Sequence, residues 1–247
     1  AEHREVAREA VRKSLVLLKN DDGVLPLKKD GKLLVAGKSA DNRGHLCGGF
    51  TVEWQGSSGN QLIEGGTSVW EGVQKVAPDA VLRPDGSVED GESFDAALVV
   101  IGEKPYAEFM GDVREGPLDE HMQGSSLLDP DTAANAYAAT LELAQSHPED
   151  LETIRRITAK GIPVVAVLVS GRPLVVNQEL AESAAFVAAW LPGSEGQGVA
   201  DVLFGDHDFQ GKLSFSWPGT VDDNFNRGDD DYAPLFPYGH GLRHSGD

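Results

Sequence analysis

Two glutamates and a tyrosine follow one another closely after a strongly apolar run. Residues 96–101 are all apolar, and the loop that comes next contains Glu103, Tyr106 and Glu108. Carboxyl groups can donate or remove protons during catalysis. A single loop glutamate is a weak catalytic signal. Residue types alone therefore predict a candidate acid–base site here without identifying its substrate.

Two other apolar runs also end in polar loops. Ser170-Gly171-Arg172-Pro173 follows residues 163–169, and Gly193-Ser194-Glu195-Gly196 follows residues 185–190. The glycine loop has neither the Gly-Lys-Ser/Thr of a phosphate-binding loop nor the Gly-x-Ser-x-Gly of a nucleophile elbow. Taken alone, it is predicted to be a turn and helix cap, and Arg172 is predicted to be a buried ion-pair partner.

The apolar runs alternate with helical patterns, which predicts a mostly parallel sheet. They lack the period-2 alternation of a strand with one wet face, so helices should cover both faces. We therefore predict an α/β fold: a three-layer, flavodoxin-like sandwich with about six mostly parallel strands. Ligands collect outside the carboxyl ends of such strands, so the polar loops should share one edge. The predicted strands are 33–37, 80–82, 96–102, 163–169 and 185–190, and the predicted helices are 67–76, 151–159, 177–181 and 197–204.

The first 30 residues predict a linker helix and lead-in, followed by the sandwich domain at 31–247. Apolar residues recur at helical spacing from Glu2 to Leu18, and residues 19–23 have the composition of a helix exit and turn. The sequence starts within this helix and without a start methionine. We therefore expect a piece of a longer polypeptide from which a preceding domain is missing.

Two segments depart from the alternating pattern. Residues 41–66 are dense in glycine, which predicts a long functional loop without ordinary helix or strand. Residues 116–148 are predicted to be an insertion, with a helix from Asp131 to Ser146 that stops at His147-Pro148. Carboxylates of the insertion could bind calcium, but their spacing does not match an EF-hand and a solvated surface excursion is preferred. The carboxylates are those of Asp119, Glu120, Asp129 and Asp131, and His121 lies among them.

Composition excludes several classes of partner. The 247-residue chain has a formal charge of −19 at pH 7, which would repel phosphate backbones and anionic membrane surfaces, so no nucleic-acid partner is expected. No apolar run approaches the ~20 residues of a membrane span. The single cysteine, Cys47, rules out an internal disulfide and a cysteine-based zinc cluster. We predict neither a metal nor a cofactor.

Seven short motifs lie along the chain, and none is specific alone. They occupy residues 12–20, 47–56, 102–108, 170–173, 188–196, 211–218 and 237–242. In order and spacing, they together resemble the C-terminal sandwich domain of family 3 glycoside hydrolases. The resemblance runs nearly end to end and is interrupted mainly at residues 116–148.

The resemblance implies a role in a two-domain enzyme. In the exo-glucanase branch of that family, an N-terminal (β/α)8 barrel supplies an aspartate nucleophile and most sugar contacts, while the sandwich supplies the acid/base glutamate. By motif position this glutamate is Glu103, with Glu108 as the second choice. The implied substrate is a β-glucoside or β-glucan oligosaccharide, the implied partner is the barrel, and the implied location is periplasmic or secreted. Without the barrel, the chain is expected to be inactive.

Three aromatic residues are the predicted sugar contacts. Phe50 stands where the family often carries a stacking tryptophan, and its smaller ring implies a looser aglycone subsite. Trp54 and Tyr106 complete the set. Packing beneath the loop is the alternative for Trp54, and packing at a strand end is expected for Trp190.

Two other classes of function compete with this interpretation. One is a free-standing carbohydrate-binding or docking module that uses the glycine-rich loop and the strand-end clefts. The other is a flavodoxin-like or Rossmann-like nucleotide binder. Residues 37–41, which follow the first predicted strand of the sandwich, lack the repeated glycines of a dinucleotide fingerprint, which disfavours the second class.

Overall fold

A computed structural model describes residues 2–108, 110–111 and 140–245. They form a six-stranded sheet in the order β1-β6-β5-β4-β2-β3, in which β1 is antiparallel to β6 and all other neighbours are parallel. The strands are β1 Val16–Asn20, β2 Leu33–Ala36, β3 Val81–Leu82, β4 Ala96–Gly102, β5 Val164–Val169 and β6 Ala185–Trp190. The helices are α1 Glu2–Ser14, α2 Arg43–Cys47, α3 Val69–Val76, α4 Leu143–Ser146, α5 Pro148–Thr158, α6 Asn177–Glu182 and α7 Gly196–Leu203.

The five parallel strands follow the order β3-β2-β4-β5-β6, which is flavodoxin-like winding. Chain order reverses between β2 and β4, so the loops that leave these two strands diverge and open a crevice at their carboxyl ends. The predicted fold is confirmed, and its topology directs attention to the loops after Ala36 and Gly102.

Side chains of each strand alternate between two apolar cores. Val35 and Val100 belong to the core covered by α1, α3 and α7, whereas Val99 and Leu168 belong to the core covered by α4, α5 and the C-terminal segment around Trp217. Both faces of the sheet are buried, which explains why the strands are continuous apolar runs in the sequence. In the part of the chain that the structure describes, no helix combines the length and the apolarity needed to cross a bilayer.

The predicted helix over residues 2–18 is wrong at its C-terminal end. The helix α1 ends at Ser14, and Val16–Asn20 form the antiparallel edge strand β1. The cause is burial on two sides: Leu17 packs in one core and Val16 and Leu18 in the other, which requires the alternation of a strand. The segment predicted as a lead-in therefore contributes a strand of the sheet.

The glycine-rich segment 41–66 contains a short helix that was not predicted. In α2, Arg43–Cys47, the side chain of Asn42 caps the first turn by accepting a hydrogen bond from the His45 backbone N–H. The next helix, α3, begins with a capping box in which Ser68 and Glu71 exchange side-chain and backbone hydrogen bonds. The helix predicted over residues 67–76 is therefore confirmed and starts two residues later, at Val69.

Most of the predicted insertion lies outside the described residues, which leave out 112–139. The acidic residues discussed for calcium lie there, as do residues 131–139 of the predicted helix. The described remainder forms α4, and Pro148 occupies the first turn of α5. This helix starts three residues before the predicted position, because proline is well suited to a first turn that needs no backbone donor.

Candidate active site

The loop after β4 starts from a strictly constrained glycine. Gly102 has φ +132°, and a Cβ there would lie 1.9 Å from the carbonyl oxygen of Val169 on β5. Its N–H donates to Oδ2 of Asp150, a buried carboxylate that also pairs with Lys38 Nζ, each at 2.9 Å. Burial raises the pKa of Asp150, and the Lys38 charge opposes that rise. The first residue of the loop is thus fixed by α5 and by the loop after β2.

Glu103 is buried and has a partner at each carboxylate oxygen. Arg172 donates from Nε at 3.0 Å and Nη2 at 2.6 Å to Oε1, and the Tyr106 hydroxyl donates to Oε2 at 3.0 Å. Burial and the Glu103 charge raise the pKa of Tyr106, so this hydroxyl keeps the proton that it donates. Arg172 also lies over the Tyr106 ring and donates to the backbone oxygen of Gly111. The predicted role of Arg172 as an ion-pair partner is confirmed.

Glu108, five residues further along, is exposed. Its Oε2 accepts a hydrogen bond from Trp54 Nε1 at 3.2 Å, while Oε1 accepts none from any residue in the described ranges. The backbone on either side is held by Gln55, whose Oε1 accepts from Ala107 N–H at 2.7 Å and whose Nε2 donates to the Glu108 carbonyl at 3.3 Å. Within the described ranges, Glu108 therefore presents one carboxyl oxygen without a hydrogen-bond partner, from a backbone that Gln55 holds in place.

The glycine-rich loop packs directly on the β4 loop. A Cβ at Gly49 would lie 2.1 Å from the Tyr106 carbonyl oxygen, so only glycine allows this approach. Beyond Gly49, Phe50 and Val52 adopt positive φ values of +58° and +65°. Their side chains are 68% and 69% exposed. A β-branched residue in this region is strained, and strained, exposed apolar tips are typical of functional loops.

A small cleft lies between these loops. It has a volume of about 40 Å³ and is lined by residues that include His45, Glu103, Tyr106, Ser170 and Leu191. This volume holds a few water molecules at most and is far below the roughly 300–1,000 Å³ of ligand pockets. Burial, aided by the charges of Lys38 and Lys104, lowers the pKa of His45 to about 4. The cleft between these loops is thus too small to enclose a small-molecule ligand.

The remaining predicted residues occupy other positions. Trp190 packs against Phe215 and Trp217, and its Nε1 donates to the Ser14 carbonyl, which confirms the expected packing role. Glu195 pairs with Arg4 of α1. Among the candidate residues, the structure pairs Glu103 with Tyr106 and Glu108 with Trp54, while Phe50 lies at the exposed tip.

Sequence reasoning missed three supporting residues: Gln55, Asp150 and His45. Gln55 lies inside one of the recognised motifs, but a lone glutamine carries no chemical signal. Asp150 has the sequence position of an ordinary acidic residue in the first turn of a helix. The roles of Gln55 and Asp150 depend on partners that lie 52 and 48 residues away in the sequence.

Comparison with known proteins gives one consistent result. The family model described as "Glycosyl hydrolase family 3 C-terminal domain" matches residues 15–244. The lysosomal beta glucosidase of Dictyostelium discoideum and the periplasmic beta-glucosidase of Salmonella typhimurium are each 29% identical over 98% of this chain, which covers 30% and 35% of their lengths.

A solved structure agrees. The exo-1,3/1,4-beta-glucanase from a Pseudoalteromonas species is 44% identical, with a TM-score of 0.85 over 99% of this chain and 29% of its own. The chain thus spans about a third of the length of the proteins that it matches. From fold, motifs and these matches together, the chain belongs to the family of glycosyl hydrolase family 3 C-terminal domains.

Proposed function

We propose that this chain is the second domain of a retaining, exo-acting β-glucosidase or β-glucanase. In this proposal an N-terminal (β/α)8 barrel supplies the nucleophile and the sandwich supplies the general acid/base glutamate. The observation that carries it is the β4 loop, which presents an exposed glutamate and is held by the backbone N–H groups of Gly102 and Ala107 and by the side chain of Glu103. The names of the matched glucosidases and glucanase support the reaction class, and the periplasmic relative supports a periplasmic or secreted location.

Of the two predicted glutamates, the contacts favour Glu108, the second choice. A proton donor needs a carboxyl oxygen that faces the leaving group. Both oxygens of Glu103 are engaged: freeing Oε1 would leave the Arg172 guanidinium without its partner, and freeing Oε2 would break the hydrogen bond from Tyr106. At Glu108, Trp54 donates to Oε2, and no residue of the described part of the chain donates to Oε1. Glu103 then serves to hold the loop, and its predicted acid/base role is the alternative that the experiment below tests.

The chemistry requires two carboxyl groups on opposite sides of the glycosidic bond. In a retaining mechanism they lie about 5–5.5 Å apart: the nucleophile attacks the anomeric carbon while the acid protonates the leaving oxygen, and the same residue then removes a proton from the attacking water. Glu108 Oε1 carries the proton in both steps. A barrel packed over the exposed β4 loop would exclude bulk water from the site and so favour proton transfer from Glu108.

The glycine-rich loop supplies the aglycone side of the proposed site. Phe50 offers an exposed apolar ring for the face of a pyranose, and Trp54 lies beside Glu108. Tyr106 is the third predicted sugar contact. Its hydroxyl donates a hydrogen bond to Glu103, so in this proposal it helps to hold Glu103 in place. Similarity to the Pseudoalteromonas exo-1,3/1,4-beta-glucanase suggests β-1,3- and β-1,4-linked glucan oligosaccharides as substrates.

Replacing each glutamate by glutamine in the full-length enzyme tests the assignment. Glu108→Gln should lower kcat/KM for laminaribiose by about 10²–10⁴-fold, and much less for a dinitrophenyl β-glucoside, whose leaving group departs without protonation. Glu103→Gln should lower kcat/KM for both substrates by a similar factor, because it disturbs the loop. A large loss of kcat/KM on laminaribiose with a small loss on the dinitrophenyl glucoside is the leaving-group profile. If Glu103→Gln gave this profile and Glu108→Gln did not, Glu103 would be the acid/base.

The chain without the barrel provides a second test. It should release no detectable phenol from an aryl β-glucoside, because the nucleophile is absent. Calorimetric titration with glucose or laminaribiose should also give no saturable binding, because the described cleft is too small for a sugar ring. Tight binding by the chain alone would instead identify a free-standing carbohydrate-binding module.

A further inference from the structure

One buried side chain, Gln55, bonds the backbone on both sides of the Ala107–Glu108 peptide bond. Its amide oxygen accepts from Ala107 N–H at 2.7 Å, and its amide nitrogen donates to the Glu108 carbonyl at 3.3 Å. Gln55 is only 5% exposed, so water cannot readily replace either contact. The Gln55 amide thus bonds the β4 loop as the backbone of a neighbouring strand would, with one accepted and one donated hydrogen bond.

This arrangement fixes direction as well as position. An amide satisfies both backbone groups in only one orientation, since its acceptor must face Ala107 N–H and its donor must face the Glu108 carbonyl. The Glu108 backbone is therefore held next to its Cα, and its side chain leaves that atom in a defined direction. Trp54, the residue before Gln55, holds Oε2 of the same glutamate. Two consecutive residues of the glycine-rich loop thus hold the backbone and the carboxylate of Glu108.

We infer that Gln55 is a positioning residue that aims the Glu108 carboxyl at the leaving-group oxygen. This inference rests on the proposed acid/base role of Glu108. Displacing a catalytic group by about 1 Å can cost on the order of 10²-fold in rate. The loss should fall on substrates that need a proton for departure, because Gln55 touches neither the sugar nor the nucleophile in this arrangement.

The test compares two substrates in Gln55→Leu of the full-length enzyme. We expect kcat/KM for laminaribiose to fall by about 10- to 100-fold, with less than about a threefold change for the dinitrophenyl glucoside. If Gln55 had a merely structural role, Gln55→Leu would lower kcat/KM for both substrates by the same factor. Gln197→Leu is the matched control: Gln197 is also buried, at 6% exposure, but its amide bonds to Asp201 on α7. This control should leave the ratio of the two substrates unchanged.

A conservative variant covers the case in which Gln55→Leu does not fold. Gln55→Glu keeps an acceptor for Ala107 N–H and loses the donor to the Glu108 carbonyl. We expect a selective loss on laminaribiose that is smaller than that of the leucine variant. An equal loss on both substrates, or no loss, overturns the inference for either variant.

Glu108→Gln separates the two levels of the argument. If it shows the leaving-group profile and the Gln55 variants do not, the positioning role is wrong and the proposed function stands. If Glu108→Gln lacks that profile, Glu108 is not the acid and the inference about Gln55 falls with it.

Discussion

Two buried glutamates in different parts of the fold differ in the hydrogen-bond partners of their carboxyl groups. Glu103, 8% exposed at the carboxyl edge of the sheet, is surrounded by donors: Arg172 at one oxygen and Tyr106 at the other. Glu179 on α6 is 0% exposed, and neither of its oxygens accepts a hydrogen bond from the residues described. Burial raises the pKa of Glu179 to about 7; nearby charges contribute less, with Asp150 and Glu142 adding to the rise and Arg155 opposing it.

The difference shows that burial alone does not mark a functional carboxylate. The fold holds Glu103 in a defined place with a cation, and that carboxylate fixes the start of the loop carrying Glu108. At Glu179 the carboxyl group avoids a buried charge by binding a proton near neutral pH. The hydrogen-bond and ion-pair partners of a carboxyl group, rather than its depth of burial, therefore distinguish the candidate site.

The largest effect is expected when Glu103 loses its cation. Arg172→Met should lower the free energy of unfolding at pH 7 by about 3–5 kcal/mol, because it leaves a buried carboxylate without its ion-pair partner. Urea denaturation of the chain measures this. Arg155→Met is the matched control, since Arg155 pairs with Glu182 at the surface and both side chains are more than a third exposed. Its cost should be under about 1 kcal/mol.

A double variant separates the buried charge from lost packing. Adding Glu103→Gln to Arg172→Met removes the uncompensated carboxylate and should recover a large part of the lost stability. No recovery would mean that Arg172 acts by packing on Tyr106, and the proposed contrast with Glu179 would be lost.

A second large effect concerns Glu179 and the pH. Its folded-state pKa of about 7 lies above the ordinary 4.5, so its contribution to stability is present below pH 4.5 and is lost as the pH rises through 7. The size of the rise corresponds to about 3 kcal/mol. Glu179→Gln should remove this loss. Its free energy of unfolding relative to the unmodified chain should therefore increase by about 3 kcal/mol from pH 4.5 to pH 8.

Urea titrations at a series of pH values test this prediction. Glu182→Gln, on the same helix but with a side chain that is 36% exposed, should change stability by under about 0.5 kcal/mol. If the difference for Glu179→Gln were constant with pH, the carboxylate would have a partner in the folded chain and the contrast with Glu103 would not hold.

His45 should give a pH dependence of similar size and opposite sign. Its folded-state pKa of about 4 lies below the ordinary 6.5, so its contribution is present above pH 6.5 and is lost as the pH falls toward 4. The shift again corresponds to about 3 kcal/mol. The slopes from His45 and Glu179 nearly cancel between pH 4.5 and 6.5, and a variant of either residue should unmask the other.

His45→Asn tests this cancellation. It loses the ring contacts to Ser39 and Ser58, so it should be less stable than the unmodified chain at pH 8. That deficit should shrink by about 3 kcal/mol at pH 4, where the unmodified chain must protonate a buried ring. A deficit that stays the same at both pH values would contradict a depressed His45 pKa.

Most of the sheet could be predicted from the sequence because its determinants are local. The runs that became β4 and β5 are apolar on both faces, and Gly102 marks the end of β4. The strand β1 could not be predicted, because residues 15–18 also continue a helical pattern. Their strand conformation depends on pairing with β6, more than 160 residues away in the sequence.

The different contacts of Glu103 and Glu108 were beyond local sequence for the same reason. Both glutamates were placed correctly on the loop after β4. What distinguishes them is contact with Arg172, 69 residues from Glu103, and with Trp54, 54 residues from Glu108. Likewise, Glu179 has the sequence context of a surface helix, and only packing of the covered face buries it. Long-range contacts thus decide which of these carboxylates is buried in an ion pair and which is exposed.

The smallest effect is expected where a buried carboxylate has an exposed cation. The Glu195 side chain is only 5% exposed, but that of its partner Arg4 is 50% exposed, with 2.8 Å between Nε and Oε1. Water can take the place of such a guanidinium, and Ser194 Oγ still donates to the same oxygen. Arg4→Gln should therefore cost about 0.5–1 kcal/mol at low salt, and less in about 1 M NaCl, where exposed charges are screened. Urea denaturation at both salt concentrations measures this. A cost equal to that of Arg172→Met would mean that exposure of the cation does not set the strength of these pairs.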